Sequence, residues 1–274
     1  MGSRRPKRRK PWGKIPAALV CLLIFAQTVL ALVPAATTQD VTQTNGKLTV
    51  NVTDIGEGYF SAYCKVSTRR MKMRVAYNEE LLTYDLDSSG VEEVFPLQFG
   101  SGTYTVSLYE NAGGNRYSQA GKITFEAVLE DERAAFLRPS QYVNYTEETE
   151  AVLLGQQICE GLETEKEKFE AIKAYLKKNF TYDYIRAVTV QSGTLPDIDA
   201  CCAKHMGICQ DLAATAVCML RTQGVYAKLV IGYADAAYHA WVSVYVDGEE
   251  ILYDPTFELN AMKKPSAYTM ERYY

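Results

Sequence analysis

The stretch Gly207-Ile208-Cys209-Gln210-Asp211-Leu212-Ala213-Ala214-Thr215-Ala216-Val217-Cys218-Met219-Leu220 decides the fold. Leu212, Ala213, Ala216, Val217 and Leu220 fall on one face of a helix that ends before Gly224, which puts Cys209 in its first turn. The unpaired backbone N–H groups and the dipole at that end favour a thiolate over a thiol. Downstream, Val225 to Tyr233 and Tyr238 to Val246 read as strands. Asp247-Gly248 reads as a two-residue hairpin loop and Ile251 to Asp254 as the return strand.

That hairpin sets a register. With Asp247 and Gly248 as the loop, Val246 faces Glu249 and Trp241 faces Asp254. Directly opposite positions share a sheet face, and so do positions two apart on one strand. His239, Trp241 and Asp254 therefore point to one side, with His239 and Asp254 as diagonal neighbours. An imidazole and a carboxylate meet on a sheet that follows a helix with an activated thiol at its start.

Upstream of this segment the pattern is helical back to Glu130. Asp131 to Leu137 is a short helix, and Thr146 with Thr149-Glu150 opens a second that runs to about Leu162. Thr164 and Glu167 have the spacing of a capping box, followed by the apolar stripe Phe169, Ile172, Leu176 and Phe180. Thr181 to Met206 reads as a long irregular stretch, a length at which loops often carry function. Residues 46–129 are strand-like instead: Lys47–Val52, Tyr59–Val66, Met71–Tyr77, Leu81–Leu86, Val91–Phe99, Thr103–Tyr109 and Lys122–Leu129. Turn signals such as Asp87-Ser88-Ser89-Gly90 and Asn111-Ala112-Gly113-Gly114-Asn115 separate them, which predicts a small antiparallel sandwich. It contains no His and one Cys, so it reads as a spacer or binding module.

The N-terminus is of another kind. Residues 1–14 carry seven Lys/Arg and no acid, and Ile15 to Val33 is uncharged and mostly apolar. Small residues follow at Pro34-Ala35-Ala36. This is the layout of a secretory signal or an uncleaved membrane anchor, and either delivers the body outside while the segment contacts the membrane. Without those residues, 22 basic groups remain against 33 acids, a net of −11. A body that acidic repels phosphates, so nucleic acid is excluded as a partner. With 47% hydrophobic and 23% charged residues the chain is neither disordered nor collagen-like, and seven Cys are too few for a disulfide scaffold. If Cys21 is removed with the leader and Cys209 stays free, five Cys are left, so complete pairing within one chain is impossible.

Gly207-Ile208-Cys209, Leu229-Val230-Ile231-Gly232-Tyr233, His239-Ala240-Trp241 and Asp254-Pro255-Thr256 together resemble the transglutaminase-like superfamily, with its papain-like core. The resemblance covers about Glu165 to Phe257, with the motifs in the order Cys, His, Asp. It also extends to secreted bacterial members in which a β-rich segment precedes the catalytic domain. The resemblance implies Cys209 as nucleophile, His239 as base and acid, and Asp254 as the group orienting His239 through Nδ1. The oxyanion would be met by the Cys209 backbone N–H and a second donor. Ala203 stands where papain-like proteases carry a Gln, which leaves Tyr182 and Trp241 as alternatives.

Blander readings stand beside these. Cys218, mid-helix among apolar residues, is structural. Cys201, Cys202, His205 and Cys209 lack the spacing of a metal knuckle, and His205 is a polar loop residue. Trp241 can be plain core, and Asp254-Pro255 a strand-ending turn. No calcium-loop, nucleotide or metal motif is present, so no cofactor is expected. Residues after Phe257 read as a short packed tail.

The expectation is an α+β chain: a signal or anchor at 1–36, a β-rich accessory domain at 37–129, and a transglutaminase-like catalytic domain at 130–274. It acts outside the cell by thiol-dependent acyl transfer or hydrolysis on protein or peptide amides, with cell-wall material as a further candidate substrate. The alternative keeps the fold without turnover, as a surface peptide-binding or assembly module.

Overall fold

The computed structural model describes residues 42–260 and 264–274. The expected leader, 1–36, lies outside them. Among the described residues no helix is long and apolar enough to cross a membrane.

The N-terminal half is built from alternation. Strands β1 (Thr42–Asn45), β2 (Leu48–Asn51), β3 (Tyr59–Cys64) and β6 (Glu93–Pro96) form one antiparallel sheet in the order β1-β2-β3-β6. Strands β4 (Met71–Tyr77), β5 (Glu80–Leu86), β7 (Gly102–Gly113) and β8 (Arg116–Ala127) form a second, ordered β5-β4-β7-β8. Met71, Met73 and Val75, like Leu82, Tyr84 and Leu86, put every second side chain inside, the period of a half-buried strand. Across the layers Phe60 meets Phe125 edge-on at 5.5 Å and Tyr84 meets Phe95 at 5.0 Å, so the two sheets are a sandwich. The stretch Asn111 to Asn115 proves to be the tip of a long hairpin, with Gly113 and Gly114 at φ 112° and 56°.

The helical half opens with a 3-10 turn at Ala134–Leu137 and α1 (Glu150–Ile158). Next comes α2 (Glu165–Asn179), whose capping box is complete: Thr164 Oγ1 accepts from the Glu167 N–H and Glu167 Oε2 from the Thr164 N–H. The expected irregular stretch instead contains two short helices, α3 (Tyr184–Thr189) and α4 (Ile198–Lys204). Asp183 and Asp197 cap them, accepting from the N–H groups of Arg186 and Ala200. Two-residue strands β9 (Thr181–Tyr182) and β10 (Met206–Gly207) pair in parallel beside them.

Helix α5 (Cys209–Thr222) is buried nearly all round, beyond the single face its apolar pattern suggests. It packs on β11 (Ala227–Ala234) and β12 (Ala237–Val246) on one side and against α1, α2 and α4 on others. Strand β13 (Glu249–Tyr253) returns from the Asp247-Gly248 loop in the expected register, Val246 opposite Glu249 and Val242 opposite Tyr253. Both loop residues have positive φ, 53° and 84°, the signature of a type I′ turn. Helix α6 (Pro255–Asn260) follows, and the supposed tail is a strand, β14 (Tyr268–Tyr273), on the free edge of β11. The sheet order is β13-β12-β11-β14. The described residues form one compact unit, and a single apolar core runs from the sandwich into the helical half.

Candidate active site

Gly207 and Asp211 set the start of α5. A Cβ at Gly207 would lie 2.8 Å from both Asp211 Cβ and Cys201 Sγ, so the chain passes there only as glycine. Asp211 is fully buried. Its Oδ2 accepts from the Ile208 N–H at 3.0 Å and from the Arg186 guanidinium, and its Oδ1 accepts from the Asp197 N–H at 3.1 Å. One carboxylate thereby ties the entries of α4 and α5 to α3. Burial raises its pKa above the ordinary Asp range, which those hydrogen bonds and Arg186 only partly oppose. Cys209, next to Ile208, is partly exposed at the first position of the helix.

His239, 8% exposed, lies near the start of β12. Its Nε2 is 2.8 Å from Asp254 Oδ2. Cys209 lies near enough to act on the same imidazole and lines the same cleft. The carboxylate therefore meets Nε2, not the Nδ1 expected. Burial pulls the imidazole pKa down, but the hydrogen bonds and charges of Asp254 and Cys209 outweigh it and raise it to about 9.

Asp254 has two jobs at once. Its Oδ1 accepts from the N–H groups of Thr256 and Phe257 at 3.0 and 3.3 Å, capping α6 behind Pro255. Its Oδ2 takes His239 and the Tyr268 hydroxyl, the latter at 2.9 Å. The strand-ending turn and the histidine partner are one residue. Tyr268 is a site residue the sequence reading missed; it lies beyond β13 and comes back along β11.

The two candidate oxyanion donors differ in place. β9 pairs with β10 so that Tyr182 faces Gly207, which brings its hydroxyl toward the Cys209 backbone at the start of α5. Burial, then the charge of Cys209, pushes Tyr182 up to about 12, so its proton stays on. Trp241 is buried, ring to ring with His239 at 6.5 Å and edge-on to Tyr268 at 5.0 Å, a wall for the imidazole. His205 caps α4 with its ring against Phe180 at 5.0 Å. Cys201, Cys202 and Cys218 are buried, and burial pushes the thiols of Cys201 and Cys202 up to about 12. The six described cysteines are all free, and among the described residues no group of His, Cys, Asp or Glu is arranged to hold a metal.

Cys209 and His239 open into a cleft of about 390 Å³, walled by Tyr142, Tyr238, Arg272 and the 190–194 loop. Gln210 holds that loop by donating to the Thr194 carbonyl at 3.0 Å. Among the described residues, a larger depression of about 660 Å³ between Tyr77, Glu80 and Tyr273 is lined by no Cys, His or Ser, so the smaller cleft is the candidate site.

Residues 153–255 match the family model of the transglutaminase-like superfamily, so this part of the chain is a transglutaminase-like core. No curated protein matches the sequence. Three solved structures are similar at low identity. One, from Cytophaga hutchinsonii, is described as a candidate cysteine protease (16% identity, 72% of this chain and 78% of that one, TM-score 0.38). Another is the periplasmic domain of TgpA from Pseudomonas aeruginosa bound to ethylmercury (14%, 80% and 76%, TM-score 0.38). The third is a TGase (21%, 43% of this chain and 32% of that one, TM-score 0.35).

Proposed function

We propose that the protein is a thiol-dependent acyltransferase or amide hydrolase acting on protein or peptide amides, with Cys209 as nucleophile, His239 as base and acid, and Asp254 as the residue that orients His239. One observation carries this reading. Asp254 holds one imidazole nitrogen of His239, and Cys209, at the positive end of α5, shares a cleft with that ring and acts on it. Proton transfer from Cys209 to His239 gives a thiolate and an imidazolium. The thiolate adds to the amide carbonyl. The oxyanion is held by the Cys209 N–H and the neutral Tyr182 hydroxyl, which turns to donate. His239 then protonates the departing amine as the C–N bond breaks, leaving a thioester. An amine or water resolves it, giving up a proton to His239 and restoring the thiol. Residues 1–33, basic and then apolar, support an enzyme delivered to the outer side of a membrane.

The test needs no substrate. In the full chain, the rate of Cys209 alkylation by iodoacetamide is followed against pH by mass spectrometry of the labelled peptide, with His239→Ala alongside. Rapid labelling below about pH 7 that the variant loses is the expected result. Labelling that rises only near pH 8.5 and ignores His239 would sink the proposal.

A further inference from the structure

Strand β14 joins β11 through a bulge. Gly232 faces Met270 and Ile231 faces Arg272, so Glu271 is the extra residue. In an unbroken ladder Arg272 would face Val230, in the row of Trp241. The bulge turns it instead into the row of Ile231 and Ala240, both of which line the Cys209 cleft. Gly232 makes the close approach possible, because a Cβ there would lie 2.1 Å from the Thr269 carbonyl oxygen. The displaced strand thus delivers a guanidinium to the wall of the Cys209 cleft.

Arg272 Nη2 donates to the Tyr238 hydroxyl at 2.6 Å. Among the described residues no carboxylate pairs with it, although Arg138, Arg186 and Lys228 all have such partners. No Asp or Glu lines the cleft either, in a body whose net charge is −11 without its first 14 residues. The Tyr238 hydroxyl accepts from Arg272 and keeps its own proton to donate. A guanidinium fork beside a phenol O–H is a fitted receiver for the two oxygens of a carboxylate.

We propose that Arg272, with Tyr238, determines specificity for an acidic peptide substrate, one that carries a carboxylate close to the carbonyl attacked by Cys209. The proposal rests on the reading of Cys209 as an acyl-accepting nucleophile. The carboxylate docks on Arg272 from the solvent side, and the uncharged cleft between them takes the backbone of the same peptide.

The probe is a pair of alkylating agents that differ in charge. Iodoacetate and iodoacetamide are reacted with Cys209 in the full chain at pH 9, where an accessible thiol reacts whether or not it is activated. Arg272→Gln should slow iodoacetate about threefold to tenfold and leave iodoacetamide within about twofold. Arg272→Lys should retain part of the iodoacetate rate, and Tyr238→Phe should give a smaller loss than Arg272→Gln. An unchanged ratio of the two rates in Arg272→Gln overturns the proposal. An equal fall in both rates also overturns it, since Arg272 would then be only a structural part of β14. The iodoacetamide rate near pH 6 separately reports the thiolate–imidazolium pair. Failure of the triad reading and failure of the carboxylate site therefore appear in different columns of the same experiment.

Discussion

At the scale of single residues, the site turns on one imidazole with two partners. His239 is raised from its ordinary 6.5 to about 9, because Asp254 and Cys209 outweigh the effect of burial. A histidine whose folded pKa exceeds its unfolded one stabilises the protein fully below about pH 6.5 and loses that contribution as pH climbs through about 9. Asp254→Asn keeps an oxygen for the Thr256 and Phe257 N–H groups but removes the charge opposite His239. The parent should therefore be more stable than Asp254→Asn by up to about 3 kcal/mol near pH 6, with the gap shrinking by pH 9.5. Denaturant unfolding at the two pH values checks this, and an equal gap at both would remove Asp254 as the source of the shift. The same charge keeps His239 protonated at neutral pH, the state the proposed mechanism asks of it when the amine leaves.

At the scale of elements, Asp211 shows how Cys209 is held. It supplies half of a capping box, since its carboxylate accepts from the Ile208 N–H while the Ile208 side chain has nothing to return. Asp211→Ala would leave the Ile208 and Asp197 N–H groups unpaired and Arg186 without its counter-charge. The expected cost is about 3 kcal/mol of stability, with faster amide hydrogen exchange concentrated in residues 183–211. Uniform acceleration across the molecule would show that Asp211 is general core instead. This segment is also where the sequence was least legible. The hairpin of β12 and β13 could be read to the residue because Asp-Gly dictates the turn and period two dictates the faces. Helix α5 was equally plain from its apolar run and following glycine. Helix α3, by contrast, has no fully buried side chain, so it leaves no apolar stripe to read. Strand β14 hides for a related reason. It is mostly exposed, and its bulge breaks the alternation that would betray a strand. The Cys209, His239 and Asp254 positions follow from local pattern; Tyr182, Tyr268 and Arg272 reach the site only through pairings that the pattern does not encode.

At the scale of the whole molecule, the sandwich holds the strand that walls the cleft. Arg272 is followed by Tyr273 and Tyr274, and both are anchored outside the sheet of β11 to β14. Tyr273 packs against Phe99 of the β-rich half at 6.3 Å, and its carbonyl accepts from the Gln98 side chain. Tyr274 stacks on Tyr142 at 3.7 Å and meets Tyr84 edge-on at 6.5 Å. Beneath them Arg221, 2% exposed, donates to the carbonyls of Ala227, Arg138 and Tyr274 at 2.9, 2.5 and 2.7 Å. Burial lowers that guanidinium to about 10, still charged at neutral pH, so the three carbonyls are what keep it inside. A protein spanning only residues 130–274 would lose Tyr84, Gln98 and Phe99 together and expose the aromatic faces of Tyr273 and Tyr274 to water. Each aromatic contact of this kind is worth about 0.5–1.5 kcal/mol beyond its buried area, so the two lost, together with the Gln98 hydrogen bond and the newly exposed apolar surface, come to a few kcal/mol, a large part of a domain's stability. The expected outcome is a melting temperature at least about 10 °C below that of residues 37–274, with new binding of a hydrophobic dye. Arg272 would lose its place with the strand, so Cys209 in the shortened protein should also lose any preference for iodoacetate. A shortened protein that melts with the parent and keeps that preference would make the sandwich a passenger; the anchoring of Tyr273 and Tyr274 argues that it holds in place the strand that walls the Cys209 cleft.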